Sequence, residues 1–212
     1  MKTRDKITAT ALRLFNEKGE RNITTNHIAA ELDMSPGNLY YHFKNKQAII
    51  REIFETYSVE LIEHFSPVDL KEETLVQLKR YLNNVFSLMW KYRFLYTNLP
   101  QILEKDALLH EQYLNLQQQS KHNLHRIFIS FVALKILKVK EQEIDPLIST
   151  LQLIMFSWLS YQLSISLNSA VTEKIVYQGV LQMIAIIKPY ATEVGAQQLG
   201  LLISEIQQLY TS

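Results

Sequence analysis

The sequence predicts an all-α protein, and three observations predict it. Apolar residues recur at spacings of three and four along almost the whole chain, the period of a helix face. No Asn-Gly or Asp-Gly hairpin turn occurs and no period-two alternation is sustained, so strands lack their usual signals. Five glycines and five prolines in 212 residues leave few points at which a helix must stop.

Each element has a local reason. Ile7, Ala11, Leu14 and Phe15 share one face of a first helix, which Gly19 ends by tolerating a left-handed backbone. Thr24 caps a second helix through Leu32, with Ile28, Ala29 and Leu32 inward. After a turn at Asp33 and Met34, Ser35 caps a third helix, and Pro36 takes its first position, where a missing N–H costs nothing. Longer helices are expected at Asn45–His64, Lys71–Lys91, Ala107–Leu137, Pro146–Leu167, Thr172–Lys188 and Val194–Tyr210, with an irregular stretch through Pro100. Pro67, Pro100, Pro146 and Pro189 are expected at helix boundaries.

Composition narrows the function classes. With 47% apolar and 20% charged residues the chain is a folding one. It has no cysteine, hence no disulfide, thiolate metal site or cysteine nucleophile, which fits a reducing cytoplasm; the N-terminus lacks the apolar run of a signal peptide. The net charge is only +1, but residues 1–51 hold nine Lys/Arg against five Asp/Glu, and the remainder thirteen against sixteen. A basic end on a mildly acidic body is the asymmetry expected where one end meets phosphate.

The second helix, tight turn and third helix make a helix-turn-helix, whose third element normally enters the major groove. In SPGNLYYHFKNK, Leu39 and Phe43 are four apart and must face the core, which turns Tyr40, Tyr41 and His42 onto the remaining surface. Such rings could equally cap a core edge or meet a partner. Gly37 lets backbone approach a base edge or phosphate, Lys44 and Lys46 follow within a turn, and Thr24 and Thr25 offer hydroxyls at the neighbouring helix start.

TTNHIAAELDMSPGNLYYHFKNKQAII resembles the DNA-binding domain of TetR-family transcriptional repressors, most closely through GNLYYHFKNK. The resemblance implies a helix-turn-helix domain at 1–48 and a helical ligand-binding and dimerisation domain at 49–212. It implies that Pro36, Gly37, Asn38 and Tyr40 lie near bases, and that Tyr41, His42, Lys46, Thr24 and Thr25 hold phosphates. Asp33 stands where the family's turn often has glycine, and Asp tolerates the left-handed conformation. On the phosphate assignment, Lys46→Ala weakens binding to every duplex and flattens the salt slope by about one unit.

A short recognition helix reads few base pairs, so a homodimer on a palindromic double-stranded operator is expected. Leu147–Leu167 carries no charge, which leaves three readings: a membrane span, a core helix or a subunit contact. Its many Ser, Thr and Gln side chains argue against lipid. Ser157, Ser160 and Ser164, with Val176, Val180, Met183 and Ile187 on the next helix, are the dimer candidates, since TetR-like proteins pair through two such late helices. Trp90, Phe94, Tyr96, Tyr113, Phe128, Met155 and Trp158 are either ordinary core or the walls of a pocket for an apolar small-molecule inducer. YRFLYTNLPQIL and KPYAT resemble a TetR-like subset sharing a C-terminal domain.

Enzyme readings find little support. His122 and His125 share a helix face but sit in a polar stretch without a further ligand motif, and no phosphate loop or nucleophile elbow is present. No metal or cofactor is implied. The sequence reads as a repressor without catalytic activity; the competing class is a helical small-molecule-binding or scaffold protein that does not use DNA.

Overall fold

The computed structural model describes residues 2–67, 73–166 and 170–211. Among them the chain forms ten α-helices and no strand: α1 (Thr3–Lys18), α2 (Thr25–Glu31), α3 (Pro36–His42), α4 (Lys46–His64), α5 (Thr74–Lys91), α6 (Arg93–Glu104), α7 (Ala107–Ala133), α8 (Glu141–Ile165), α9 (Glu173–Ile187) and α10 (Glu193–Thr211). The expected start at Lys71 and end at Leu167 lie outside the described residues. No described helix is long and apolar enough to cross a membrane.

The first three helices form their own small core. Ile7, Ala11, Leu14 and Phe15 of α1, Ile28 and Ala29 of α2, and Leu39 and Phe43 at α3 are all buried. Gly19 ends α1 with φ +80°. Asp33 takes φ +52°, and the Met34 and Asp33 amides donate to Ala29 O and Ala30 O, the paired bonds that close a helix C-terminus. Lys135 does the same work for α7 at φ +56°, with Ile136 N donating to Phe131 O and Lys135 N to Val132 O. The helix therefore ends at Ala133, earlier than expected, although no glycine marks the stop.

α4 joins this small core to the body, packing against α1 at one end and α5 and α7 beyond. The junction is tied by Asn16, whose Nδ2 donates to Lys91 O at 2.8 Å while its Oδ1 accepts from Phe94 N at 3.1 Å. In the body, α8 packs on α6, α7 and α9, with α5 and α10 also against α9.

Two prolines depart from expectation. Pro146 lies inside α8, which starts at Glu141, where Glu143 reaches back to accept from Lys140 N at 3.0 Å. Pro100 lies inside α6 rather than at a break. A helical proline orphans the carbonyl four residues before it, here Tyr96 O. Ser160 Oγ lies 3.1 Å from Tyr96 O and 3.2 Å from Thr97 O, so α8 supplies the hydrogen bond that Pro100 withholds.

α10 is seated by a close approach. Thr192 N donates to Ile136 O at 2.9 Å, and Thr192 Oγ1 accepts from Gly195 N at 3.1 Å. A Cβ on Gly195 would lie 2.2 Å from Ile136 O. Gly195→Ala is expected to lose about 2–3 kcal/mol of stability through overpacking against backbone that cannot yield. A urea midpoint equal to wild type would show that α10 detaches without consequence.

Candidate nucleic-acid interface

α3 is seven residues long and buries only Leu39. A single buried contact would not stabilise so short a helix alone, so its ends must be held by caps and neighbours. Ser35 Oγ accepts from Asn38 N at 3.2 Å and Pro36 occupies the first turn. Phe43 N donates to Leu39 O at 3.0 Å, which places the Phe43 ring in the core.

The rest of α3 faces away. Tyr41 is 86% exposed and Tyr40 48% exposed, while Pro36, Gly37 and Asn38 are exposed and His42 is half-buried with its ring edge-on to Tyr41 at 5.2 Å. A Cβ on Gly37 would find only Ser35 Oγ, at 3.9 Å. Lys44 is exposed in the connection to α4.

α2 presents its N-terminus beside this face. Thr24 Oγ1 accepts from His27 N at 3.3 Å, which leaves its own hydroxyl proton to donate outward. Thr25 Oγ1 and Tyr40 OH are 3.0 Å apart. One of these hydroxyls donates to the other, so the pair still has one proton to offer a phosphate or base edge. The contact also fixes the Tyr40 ring against α2.

Lys46 is placed differently from the other phosphate candidates. Its ammonium lies 2.6 Å from Glu20 Oε1 and donates to Glu20 O at 2.9 Å and Ile23 O at 3.0 Å. Glu20 is itself only 4% exposed. All three ammonium protons are thus engaged within the fold, tying the turn before α2 to the start of α4. Glu20 carries no sequence signal, because a glutamate after a helix-ending glycine is unremarkable without knowledge of what packs on it.

The pocket candidates are divided by the fold. A cavity of about 120 Å³ lies between α4, α5, α7, α8, α9 and α10, and Phe128 and Met155 line it. The other five candidates fill seams instead. Phe94 packs on Phe15 at 5.2 Å between centroids, and Tyr96 OH is 3.0 Å from Tyr57 OH. Tyr113 sits between Phe54 and Phe156, Trp90 lies under the Arg93 guanidinium, and Trp158 donates from Nε1 to Ile175 O at 2.7 Å. Burial holds the Tyr96 hydroxyl well above its ordinary pKa, so this seam stays neutral. Among the described residues the cavity's lining includes no charged side chain; Ser120, Gln152 and Tyr81 bring its polar atoms.

The dimer candidates also need correction. Val176, Val180 and Met183 are buried by their own chain, so these three are not presented to a partner, while Ser160 is half-buried and its hydroxyl donates to α6. Ile187 is half-buried and lines the cavity with Met183. Ser157 and Ser164 remain exposed, on the same side of α8 as Leu153, Tyr161 and Ile165. His125 bonds Asp145 at 2.8 Å, and no cluster of three metal-ligating side chains occurs among the described residues.

A helix-turn-helix with one face turned to solvent, mounted on a larger helical body with an apolar cavity, defines a helix-turn-helix regulator. Residues 7–53 match the model for bacterial regulatory proteins of the tetR family, and residues 56–199 match the model for the TetR bacterial transcriptional repressor. The chain belongs to the TetR family of bacterial transcriptional regulators, whose members are non-enzymatic DNA-binding proteins.

A TetR-family transcriptional regulator from Marinobacter aquaeolei VT8 superposes with a TM-score of 0.86 at 35% identity, covering 97% of this chain and 99% of that one. The HTH-type transcriptional regulator QacR of Staphylococcus aureus is 35% identical over 94 residues, 44% of this chain and 50% of QacR, so the match spans half the length of that relative. A TetR transcription regulator from Haloarcula marismortui shares the fold alone, at 10% identity and a TM-score of 0.68 over 89% of this chain and 98% of that one.

Proposed function

We propose that this chain is a cytoplasmic homodimeric repressor that binds a palindromic operator through α2 and α3, and leaves it when a small, uncharged, largely apolar ligand fills the cavity. The observation that carries the reading is α3 itself: one residue, Leu39, is given to the core, and the rest of the helix presents Gly37, Asn38, Tyr40 and Tyr41 outward. Asn38 and Tyr40 are the candidates for base reading, with Tyr41, His42, Thr24 and Thr25 on phosphates.

The ligand's class follows from the cavity's walls. Among the described residues an ion buried there would find no charged partner for the hydration it loses, which supports a neutral molecule. Leu61 of α4 is part of the lining, and from there α4 runs back about 22 Å to its start at Lys46, just after α3. A ligand that shifts Leu61 therefore acts on a helix whose other end sets the half-site spacing, and it releases DNA only if the two spacings bind ligand unequally. The proposed subunit contact is the exposed stripe Leu153, Ser157, Tyr161 and Ile165 on α8, spaced by four.

The test is a mobility-shift titration against duplex from the chain's own upstream region, at several salt concentrations. Binding whose affinity falls steeply with salt, by a species that sediments as a dimer, is the expected result. Indifference to that duplex would favour the scaffold reading instead, and a monomer at micromolar concentration would remove the α8 contact.

A further inference from the structure

Arg4 lies on α1, outside the residues assigned to the interface, yet its guanidinium joins three helices. Nε donates to Glu52 Oε1 at 3.1 Å and Nη2 to Glu52 Oε2 at 2.6 Å, a two-pronged grip on α4. Nη1 donates to the main-chain oxygen of His42 at 3.1 Å, and the guanidinium carbon lies 4.3 Å from the centroid of the Phe43 ring. His42 ends α3. Its carbonyl is among the last acceptors of a helix, which have no intrahelical partner and which favour a neighbouring positive charge.

The chemistry suits orientation better than bulk stability. Both side chains keep substantial exposure, 48% for Arg4 and 31% for Glu52, and exposed ion pairs add little to global folding. α3 is different, because a seven-residue helix with one buried side chain has few other contacts to set its direction. The planar fork fixes angles that a lysine's point charge would not. Tyr41 and His42, two of the proposed phosphate contacts, are the residues nearest the held end.

We infer that Arg4 is a positioning residue for DNA recognition, fixing the C-terminal end of α3 against α1 and α4 through Glu52 and the His42 carbonyl without contacting DNA itself. The inference rests on the DNA-binding reading above. Direct phosphate contact by a half-exposed arginine is the rival role, and the two roles predict opposite results for Glu52. Glu52→Ala removes a negative charge and releases Arg4; a direct contact would then bind DNA more tightly, whereas a positioning residue would lose its anchor.

The experiment uses the full chain and a duplex selected by the wild type from a random library, with Arg4→Ala, Glu52→Ala and the double variant measured by fluorescence anisotropy over a salt series. Each single variant should bind the selected duplex about tenfold more weakly, the loss of roughly one base contact. The double variant should be no worse than Arg4→Ala, because the two act as one unit. Salt slope and melting temperature should stay at wild-type values, readouts that neither a direct Arg4–phosphate contact nor a folding defect would spare, while affinity for a random duplex should fall with the displaced Tyr41 and His42. Hydrogen exchange at the Tyr41, His42 and Phe43 amides should quicken in both single variants while α5 is unchanged.

Glu52→Ala binding as tightly as wild type or better, a slope reduced by about one unit in Arg4→Ala, or unaltered exchange in α3 would each overturn the inference. A wild-type chain that selects no duplex overturns the DNA-binding reading and this inference together, whereas a wild type that binds beside variants that bind equally well overturns this inference alone.

Discussion

Lys46→Ala should lower folding stability by about 2–3 kcal/mol, below the 3–5 kcal/mol typical of breaking a fully buried pair because the Lys46 side chain keeps 21% of its exposure. The substitution leaves the Glu20 carboxylate buried without its cation and removes the ammonium's bond to Ile23 O, while Glu20 O keeps the bond it accepts from Ile23 N at 3.2 Å. For a chain of this length the melting temperature should fall by roughly 4–10 °C. Replacing both partners by apolar residues, Glu20→Leu with Lys46→Met, should recover most of the loss, since no uncompensated charge remains. The same variant tests the phosphate role expected from sequence. Folded Lys46→Ala, assayed well below its melting point, should keep the wild-type salt slope; a slope flattened by about one unit would return Lys46 to the phosphates.

Gly37→Ala should do the reverse, leaving the fold intact and harming DNA binding. The new Cβ meets only Ser35 Oγ at ordinary contact distance, and alanine is the better helix former, so the urea midpoint should be unchanged or slightly higher. The methyl instead projects from the first turn of α3 into the space where a base edge or phosphate approaches on the proposed reading. Affinity for a selected duplex should fall at least about tenfold, within the cost of one to two poor base-pair contacts. Random-duplex binding through the surrounding phosphate contacts should change little. Undiminished specific binding by Gly37→Ala would mean that the N-terminal turn of α3 does not approach DNA. Gly195→Ala is the internal contrast: the same chemical change is destabilising there because Ile136 O already fills the space.

The helix-turn-helix was legible almost residue by residue because its determinants are local. A threonine and a serine at helix starts, a proline in a first turn and an aspartate at φ +52° are each decided within a few residues of sequence. Leu39 and Phe43 being four apart places both in the core and turns Tyr41 outward. The chain breaks were less legible. Pro100 reads as a stop, yet α6 continues through it because Ser160, sixty residues later in the chain, satisfies the orphaned Tyr96 carbonyl. The end of α7 is hidden in the sequence for the converse reason, since Lys135 adopts a conformation that glycine would advertise.

The sequence by itself determined the all-helical class, the register of the first three helices and the outward face of α3, since all of these follow from spacing and capping within one or two turns. Tertiary structure alone decided which partners those spacings meet. An apolar face on α9 is equally consistent with a second subunit or with the chain's own interior, and packing assigned Val176, Val180 and Met183 to the latter. A lysine after the recognition helix is equally consistent with phosphate or with a carboxylate, and the fold brings the buried Glu20 to it. Periodicity reports that a surface must be covered or a charge compensated; only the three-dimensional path of the chain brings the group that does it.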